Sequence, residues 1–350
     1  TSLTPDVADP ADLLAQLGDA LADLRLAAGQ LGDRQAGAVI ALLGQVADGL
    51  DAVDARLRGT AGLACLLAQP GLATADGLAA PLDEVGQVAM AMESDLDEGL
   101  VAVTPEEVEA LSAALLRVKD GWWALRRDRL GLARSVADLA PAGLAVGPDT
   151  PAALDGLWSI QVALSSLDRL EVRGRDSAGV HVLIADHGLD LGHPDLQALL
   201  GARVTDPLFT SLAVRTPDGC LSLVYKAAAE IGELGDNVRA LRLAIRSDPL
   251  LALALAQPGA CTTVLGHTRW ASVGIISQAN AHPLNSDEDG ITGPYVTAAL
   301  NGDIDNYGEL RLSEALSLPA EMTTDAKVIP TLVSRRLSDH PGMDGAFTST

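Results

Sequence analysis

Between Val39 and Leu57 a large aliphatic residue returns every three or four positions: Val39, Leu43, Val46, Leu50, Val53 and Leu57. That spacing lays the side chains along one narrow stripe of an α-helix. A helix with a single apolar stripe is marginal in water, so the chain must supply other helices to cover it. Leu14, Leu17, Leu21 and Leu24 repeat the pattern upstream. Thr104-Pro105-Glu106-Glu107 reads as a helix start, with Thr104 as cap, proline in the first turn and Glu107 closing a capping box. The helix it opens carries Leu111, Leu115, Val118, Trp122 and Leu125. Residues 1–139 are therefore expected to form an all-α helical bundle. Its acidic residues lie between the apolar positions, as on solvated faces, and nothing in it is of catalytic type. Trp122-Trp123 reads either as core or as a partner surface.

At Pro141 the pattern changes. Ala142-Gly143-Leu144-Ala145-Val146-Gly147 reads as a short apolar strand, and Asp149-Thr150-Pro151 as the cap of a helix running to Leu170. Strands are expected at Val180–Ile184, Leu221–Tyr225 and Tyr295–Leu300, and another begins at Ala346–Thr350. Helix is expected over Lys226–Asp248, broken at Gly235, then at Glu309–Leu316 and from Ala326 to Ser338 behind the cap Thr324-Asp325. Residues 185–215 are rich in loop signals and receive no detailed assignment. The whole is an α+β chain, with a helical part at 1–139 and a mixed part at 140–350.

A length of 350 residues suits two domains. The formal net charge of −23 argues against nucleic-acid phosphates and anionic membranes as partners. Cys65, Cys220 and Cys261 are far apart and show no metal-ligand spacing, which suits a reducing, cytoplasmic compartment and predicts no metal. The segment Thr1–Asp6 lacks the basic start and apolar run of a leader, and Asp and Gly interrupt the Ala/Leu runs before spanning length, so no transmembrane helix is expected.

The stretch Val264–Pro283 concentrates the polar chemistry. It opens as a β-branched, apolar strand and runs into His267, Thr268, Arg269 and Trp270. Arg269 offers a planar fork suited to a carboxylate, and Trp270 a flat lid. Gly274 and Asn280-Ala281-His282-Pro283 then shape a loop. A polar cluster at the end of a buried strand is a common ligand site; an Arg–Trp pair at a domain surface has the same residues.

Four segments occur in the order of a known family: Arg173-Gly-Arg-Asp-Ser-Ala-Gly179; Gly266-His-Thr-Arg-Trp-Ala271 with Asn280-Ala-His-Pro283; Leu300-Asn-Gly302 followed by Asn306; and Thr324-Asp325 with Val328-Ile329. Residues 140–350 thereby resemble the glutaminase half of the glucosamine-fructose-6-phosphate aminotransferases, class II glutamine amidotransferases. The resemblance does not reach the helical bundle. It implies a four-layer αββα sandwich of the N-terminal-nucleophile type, here partial. In that family a chain-terminal cysteine attacks the glutamine amide with its own amine as base. By motif position, Arg269 would hold the carboxylate of glutamine or a related amino acid, and Asp325 its ammonium. Asn301 and Gly302 would form the oxyanion hole. Trp270 would gate the ammonia path, Arg173 would shape the nucleophile pocket, and His267 and Ser272 would complete the substrate site. No cofactor is implied.

The sequence departs from the family at the nucleophile. The equivalent of its Cys-Gly start is Ala142-Gly143, inside the chain, so both the thiol and the free amine are missing. Cys261 lies on the strand leading to the motif and carries no terminal amine, and autocleavage before Thr150 would expose a hydroxyl nucleophile, but Pro151 and a helix start follow it. Val273 stands where the family has an imidazole. The later strands and the sugar-phosphate (SIS) domains have no counterpart before Thr350, so the remainder of the polypeptide or another chain is expected to complete the sandwich, in a homo-oligomer. Three readings follow. The first is an amidotransferase-like domain without glutaminase activity, structural or ligand-sensing. The second is an active aminotransferase, and the third a non-enzymatic assembly module worked by the bundle.

Overall fold

The computed structural model describes residues 8–31, 35–69, 72–101, 103–228 and 233–339. The strand expected at Ala346–Thr350 lies outside them. The chain divides into two compact units, Thr1–Asp138 with Val146–Leu154, and Leu139–Ala145 with Asp155–Thr350.

The first unit is helical. Its elements are α1 (Pro10–Gln30), α2 (Ala36–Arg56), α3 (Gly59–Leu66), α4 (Ala73–Asp97), α5 (Pro105–Trp123) and α6 (Leu130–Leu139), with a π-helical turn, Ala124–Arg129, joining the last two. α1 packs on α2 and α4, and α5 packs on the same two, so the four long helices close a ring. The whole α2 stripe from Val39 to Leu57 is buried. α2 is also the one described helix long and apolar enough to cross a membrane by composition; here its stripe is the seam of the bundle. In α1 the seam is Leu13, Leu17, Ala20, Leu21, Leu24 and Ala27, whereas Leu14 is 41% exposed. Leu13 and Leu14 both stand at helical spacing from Leu17, and only packing against α2 and α4 chooses between them. The capping box at Thr104 forms: its hydroxyl accepts from Glu107 N at 3.3 Å, and the Glu107 carboxylate accepts from Thr104 N at 2.8 Å. Trp122 lies against Gly86, where even a Cβ would come within 2.6 Å of its ring. Trp123 is exposed, with the Arg127 guanidinium 5.1 Å from its ring centre.

The second unit begins with α7 (Pro151–Leu170), whose residues from Asp155 onward belong to it. There follow β1 (Ser177–Ala185), α8 (Pro194–Leu200), β2 (Val214–Arg215), β3 (Leu221–Ala228), α9 (Asp236–Arg246), α10 (Pro249–Leu255), β4 (Cys261–Arg269), β5 (Leu284–Asn285), β6 (Thr297–Ala298), α11 (Tyr307–Ser313) and α12 (Val328–Asp339). An antiparallel sheet has the order β2-β3-β1-β4, and β5 pairs with β6 in a second, two-stranded sheet.

Strand alternation gives the larger sheet two unlike faces. Ala178, Val180, Val182 and Ile184 of β1 share one face with Leu221, Leu223 and Tyr225 of β3. Helices cover it. Gly156 of α7 meets Leu255 and Thr262, and Leu167 meets Gly266. The Tyr225 hydroxyl donates to Asp248, the N-cap of α10, at 3.0 Å. The other face carries Ser177, Gly179 and His181, with Ser222 and Lys226 on one side and His267 and Arg269 on the other. Residues of the β5–β6 layer lie over it: the Ser222 hydroxyl bonds to His181 Nε2 at 2.7 Å and to the Tyr295 hydroxyl at 2.6 Å. α12 packs on β5 and β6. An α+β architecture results.

Several expected elements differ. Ala142–Val146 is turn and coil, because Gly143 adopts φ +85° and Leu144 N donates back to Pro141 O at 3.1 Å. Lys226–Ala228 continues β3 instead of starting a helix, since Lys226 pairs across from Gly179 and Ala228 from Ser177. Tyr295–Leu300 contributes only the short β6.

Candidate functional site

The last four residues of β4, Gly266 to Arg269, open onto a cavity of about 720 Å³. All eight residues singled out in the sequence line it: Arg173, His267, Arg269, Trp270, Ser272, Asn301, Gly302 and Asp325. They come from the turn before β1, the end of β4, the loop after β6 and the turn that opens α12.

Arg269 is nearly buried, at 6% exposure. Its Nη1 donates to Ile275 O at 3.4 Å and its Nη2 to Val273 O, so the loop after β4 curls around the guanidinium. Burial lowers its pKa, while the charges of Asp325 and Asp176 act the other way. Asp176 also clamps the strand end, accepting from Ala271 N at 2.8 Å while its own amide donates to Arg269 O at 3.1 Å. Asp325 is buried; its carboxylate accepts from Ile304 N at 2.7 Å and Ala326 N at 2.9 Å. A carboxylate has about four acceptor sites, so Asp325 keeps capacity for a ligand cation.

The inner wall is made by two imidazoles, His267 and His282, packed at a tilt of 37° with ring centres 4.7 Å apart. His282 Nδ1 accepts from Leu300 N at 3.3 Å, which leaves its proton on Nε2. Burial, reinforced by the charges of His267, Arg269 and Lys226, pushes the His282 pKa down to about 3, and burial likewise lowers that of His267. Both rings are neutral walls near pH 7.

The mouth is more open. Trp270 is 73% exposed, so it stands at the rim and covers nothing in this conformation. Asn301 and Gly302 are exposed to the cavity, with Gly302 at φ +156°. The Ser272 hydroxyl donates to Asp303, and Arg173 is exposed.

Sequence reasoning missed three contributors. Asp303 lines the cavity beside Gly302. His282 stood in the quoted Asn280–Pro283 motif, but only as loop. Asn280 is fully buried; its carbonyl accepts from Thr323 N at 2.8 Å and Thr324 N at 2.9 Å, and its amide donates to Ser277 Oγ and Glu321 O. It ties the segment carrying Asp325 to the loop carrying His282. A buried asparagine with all its valences used marks such a splice, but its partners lie some forty residues away in sequence and cannot be read from it.

No cysteine lines the cavity. Cys261 is exposed at the opposite end of β4 from Arg269, about 26 Å away at the strand rise of roughly 3.3 Å per residue. Among the described residues no cluster of His, Cys, Asp and Glu could hold a metal ion.

Known proteins give a concordant but partial picture. The chain is 33% identical over 127 residues to glutamine-fructose-6-phosphate aminotransferase (isomerizing) of Caulobacter vibrioides, covering 36% of this chain and 20% of that protein. It is 26% identical over 191 residues to that of Halalkalibacterium halodurans, covering 54% and 22%. It is 40% identical over 89 residues to that of Gloeobacter violaceus, covering 25% and 14%. This chain thus spans about a fifth of the length of such relatives. No family model matches it, and no solved structure does. The chain carries a region related to the glutamine-fructose-6-phosphate aminotransferases, amidotransferase-like in its sequence.

Proposed function

We propose that the second unit is a partial αββα amidotransferase-like domain that binds glutamine or a related free amino acid and does not hydrolyse it. The observation that carries this reading is the pairing of Arg269 and Asp325 on one cavity, a buried guanidinium and a buried carboxylate with donors and acceptors to spare. An amino acid presents the complementary pair of charges. Its side-chain amide would extend toward Asn301, Gly302 and Ser272, with Trp270 and Arg173 at the rim. Hydrolysis needs a nucleophile and base within hydrogen-bond reach of the carbonyl. The cavity lining offers hydroxyls and two neutral imidazoles but neither a thiol nor a terminal amine. An oxyanion hole lowers a barrier only once something attacks.

The same reading carries the expectation of a cytoplasmic protein, completed by the remainder of its polypeptide or another chain with sugar-phosphate (SIS) domains, in a homo-oligomer. Calorimetry with glutamine, an ammonia-release assay and mass spectrometry after an electrophilic glutamine analogue test it together. Weak binding, no ammonia and no adduct are expected. Arg269→Lys, which loses the fork, should weaken binding at least tenfold. Turnover, or an adduct on Cys261 or Thr150, would refute the absence of catalysis; no binding at all would refute the ligand.

A further inference from the structure

Two lysines of the second unit are buried, and their amines are held in opposite ways. Lys327, in the turn that opens α12, donates to Asn285 O at 2.6 Å, Asp287 O at 2.8 Å and Asn285 Oδ1 at 3.2 Å. An ammonium has three protons to place, and here all three are placed. Lys226, on β3, is 3% exposed, and its Nζ has no hydrogen-bond partner among the described residues. It faces the ring of Phe209, 5.2 Å from its centre, which also carries the Arg215 guanidinium at 5.3 Å. A charged amine without acceptors is costly in such a place. Burial, joined by the charges of Lys327 and Arg215 and opposed by that of Asp206, lowers the Lys226 pKa to about 7.

The segment Asp206–Leu212 delivers that ring. Phe209 is fully buried, in a cluster with Ala213 and Val224. Its backbone nevertheless stands at φ +48°, and that of Leu212 at φ +70°. Bulky side chains avoid positive φ, so the segment keeps its shape under strain and depends on polar pins. The Asp206 carboxylate accepts from Leu208 N at 3.0 Å, Thr210 N at 2.8 Å and Thr210 Oγ1 at 2.6 Å. Leu212 N donates to Val224 O at 2.8 Å, and Ser211 Oγ accepts from Lys226 N at 3.1 Å. Ser211 N donates to Gln278 Oε1 at 3.1 Å. Gln278 stands on the loop between Arg269 and Asn280, so the segment also braces that side of the cavity. Strained backbone pinned near a surface opens more readily than the ladders beneath it.

We propose that Asp206–Leu212 is a proton-coupled plug, seated while the Lys226 amine is neutral and released when that amine takes up a proton and draws water in. Opened to water, Lys226 binds a proton at its ordinary value of 10.5; with the plug seated it does so only near 7. Closure is therefore strongest above pH 10.5 and weakens about tenfold for each pH unit down toward 7, below which both states carry the proton and the dependence ends. The surrounding groups do not supply this slope. Burial keeps His181, His267 and His282 neutral over the range, the first at about 4 and the last at about 3, and it raises the Tyr295 phenol. Arg215, paired with Asp287, is a fixed charge, and the hydrogen bonds to Asp206 lower its pKa against the effect of burial. Lys327, lowered by burial to about 8, is pinned to Asn285 and Asp287 and not to the plug. The inference rests on the packing around β3 and does not require the cavity to bind an amino acid.

Hydrogen exchange of the full chain, read by mass spectrometry as protection factors so that the intrinsic pH dependence cancels, tests it. Protection of the amides of 208–212 should rise about fivefold or more from roughly pH 7.5 to 8.5, while that of the β1–β4 ladder stays level. Lys226→Met keeps the apolar stem and removes the charge. At about pH 7.5 it should protect the same amides at least roughly tenfold better than the native chain, with no further dependence on pH. Lys226→Arg, which stays charged throughout, should leave them poorly protected at every pH. A flat profile in the native chain would overturn the proposal, and that measurement needs no variant to fold. So would a ladder that changes in step with 208–212, which would make the effect a property of the whole unit. A native slope that survives in Lys226→Met would overturn it as well, and assign the titration to Lys327.

Discussion

His282 shows how a single side chain couples the site to stability. Its backbone carbonyl lies on Gly179, where a Cβ would come within 2.1 Å, and its ring packs at a tilt against His267. Glycine at 179 is thus what lets the second layer approach the sheet between Lys226 and His267, its neighbours across the strands. The consequence is an imidazole held near pKa 3 when folded and near 6.5 when unfolded. Its contribution is therefore fully present above pH 6.5. As pH falls below that value the unfolded chain takes up a proton that the folded one refuses, and stability drops until the folded group titrates. One such proton amounts to about 1.4 kcal/mol per pH unit. Urea unfolding of the second unit between pH 5 and 6 should lose a slope of about that size in His282→Gln. Equal slopes in the two proteins would mean that His282 titrates as an ordinary histidine. His181, held at about 4 mainly by burial, acts in the same direction and remains in both.

At the scale of elements, caps and seams behave differently. The start of α5 is local: Thr104 and Glu107 satisfy each other's backbone amides, and Pro105 at the first helical position has no amide to satisfy, regardless of the rest of the molecule. Thr104→Ala should lower the stability of the helical unit by about 1 kcal/mol, read as an earlier urea midpoint in the far-ultraviolet helical signal; no shift would show that the cap is replaced by water. The seam of α1 is not local, as Leu14 demonstrates. Strand ends are less local still. β3 outruns its apolar stretch through Lys226 because β1 offers partners as far as Ser177, whereas Ala142–Val146 has strand-like residues and, in this structure, no ladder.

At the scale of the whole molecule, the first unit buries its own apolar seam among α1, α2, α4 and α5. Residues 1–139 alone should therefore give a helical circular dichroism spectrum with a cooperative melt; a disordered spectrum would show that the seam needs the rest of the chain. The existence of this bundle was legible in the sequence because helical periodicity is a property of neighbours in the chain. So were the helix at Pro151–Leu170 and the strands β1 and β4; motif order, and not any periodicity, singled out eight of the residues that line the cavity. Tertiary structure decided what depends on groups far apart in sequence. It chose Leu13 over Leu14, put polar residues on the buried second face of the sheet, tied Thr323 and Thr324 to Asn280, and set Asp303 and His282 into the cavity. Among the described residues it also gave β4 a single strand partner, β1. A sequence states which groups are able to pair and pack; only the assembled layers settle which of them find a partner.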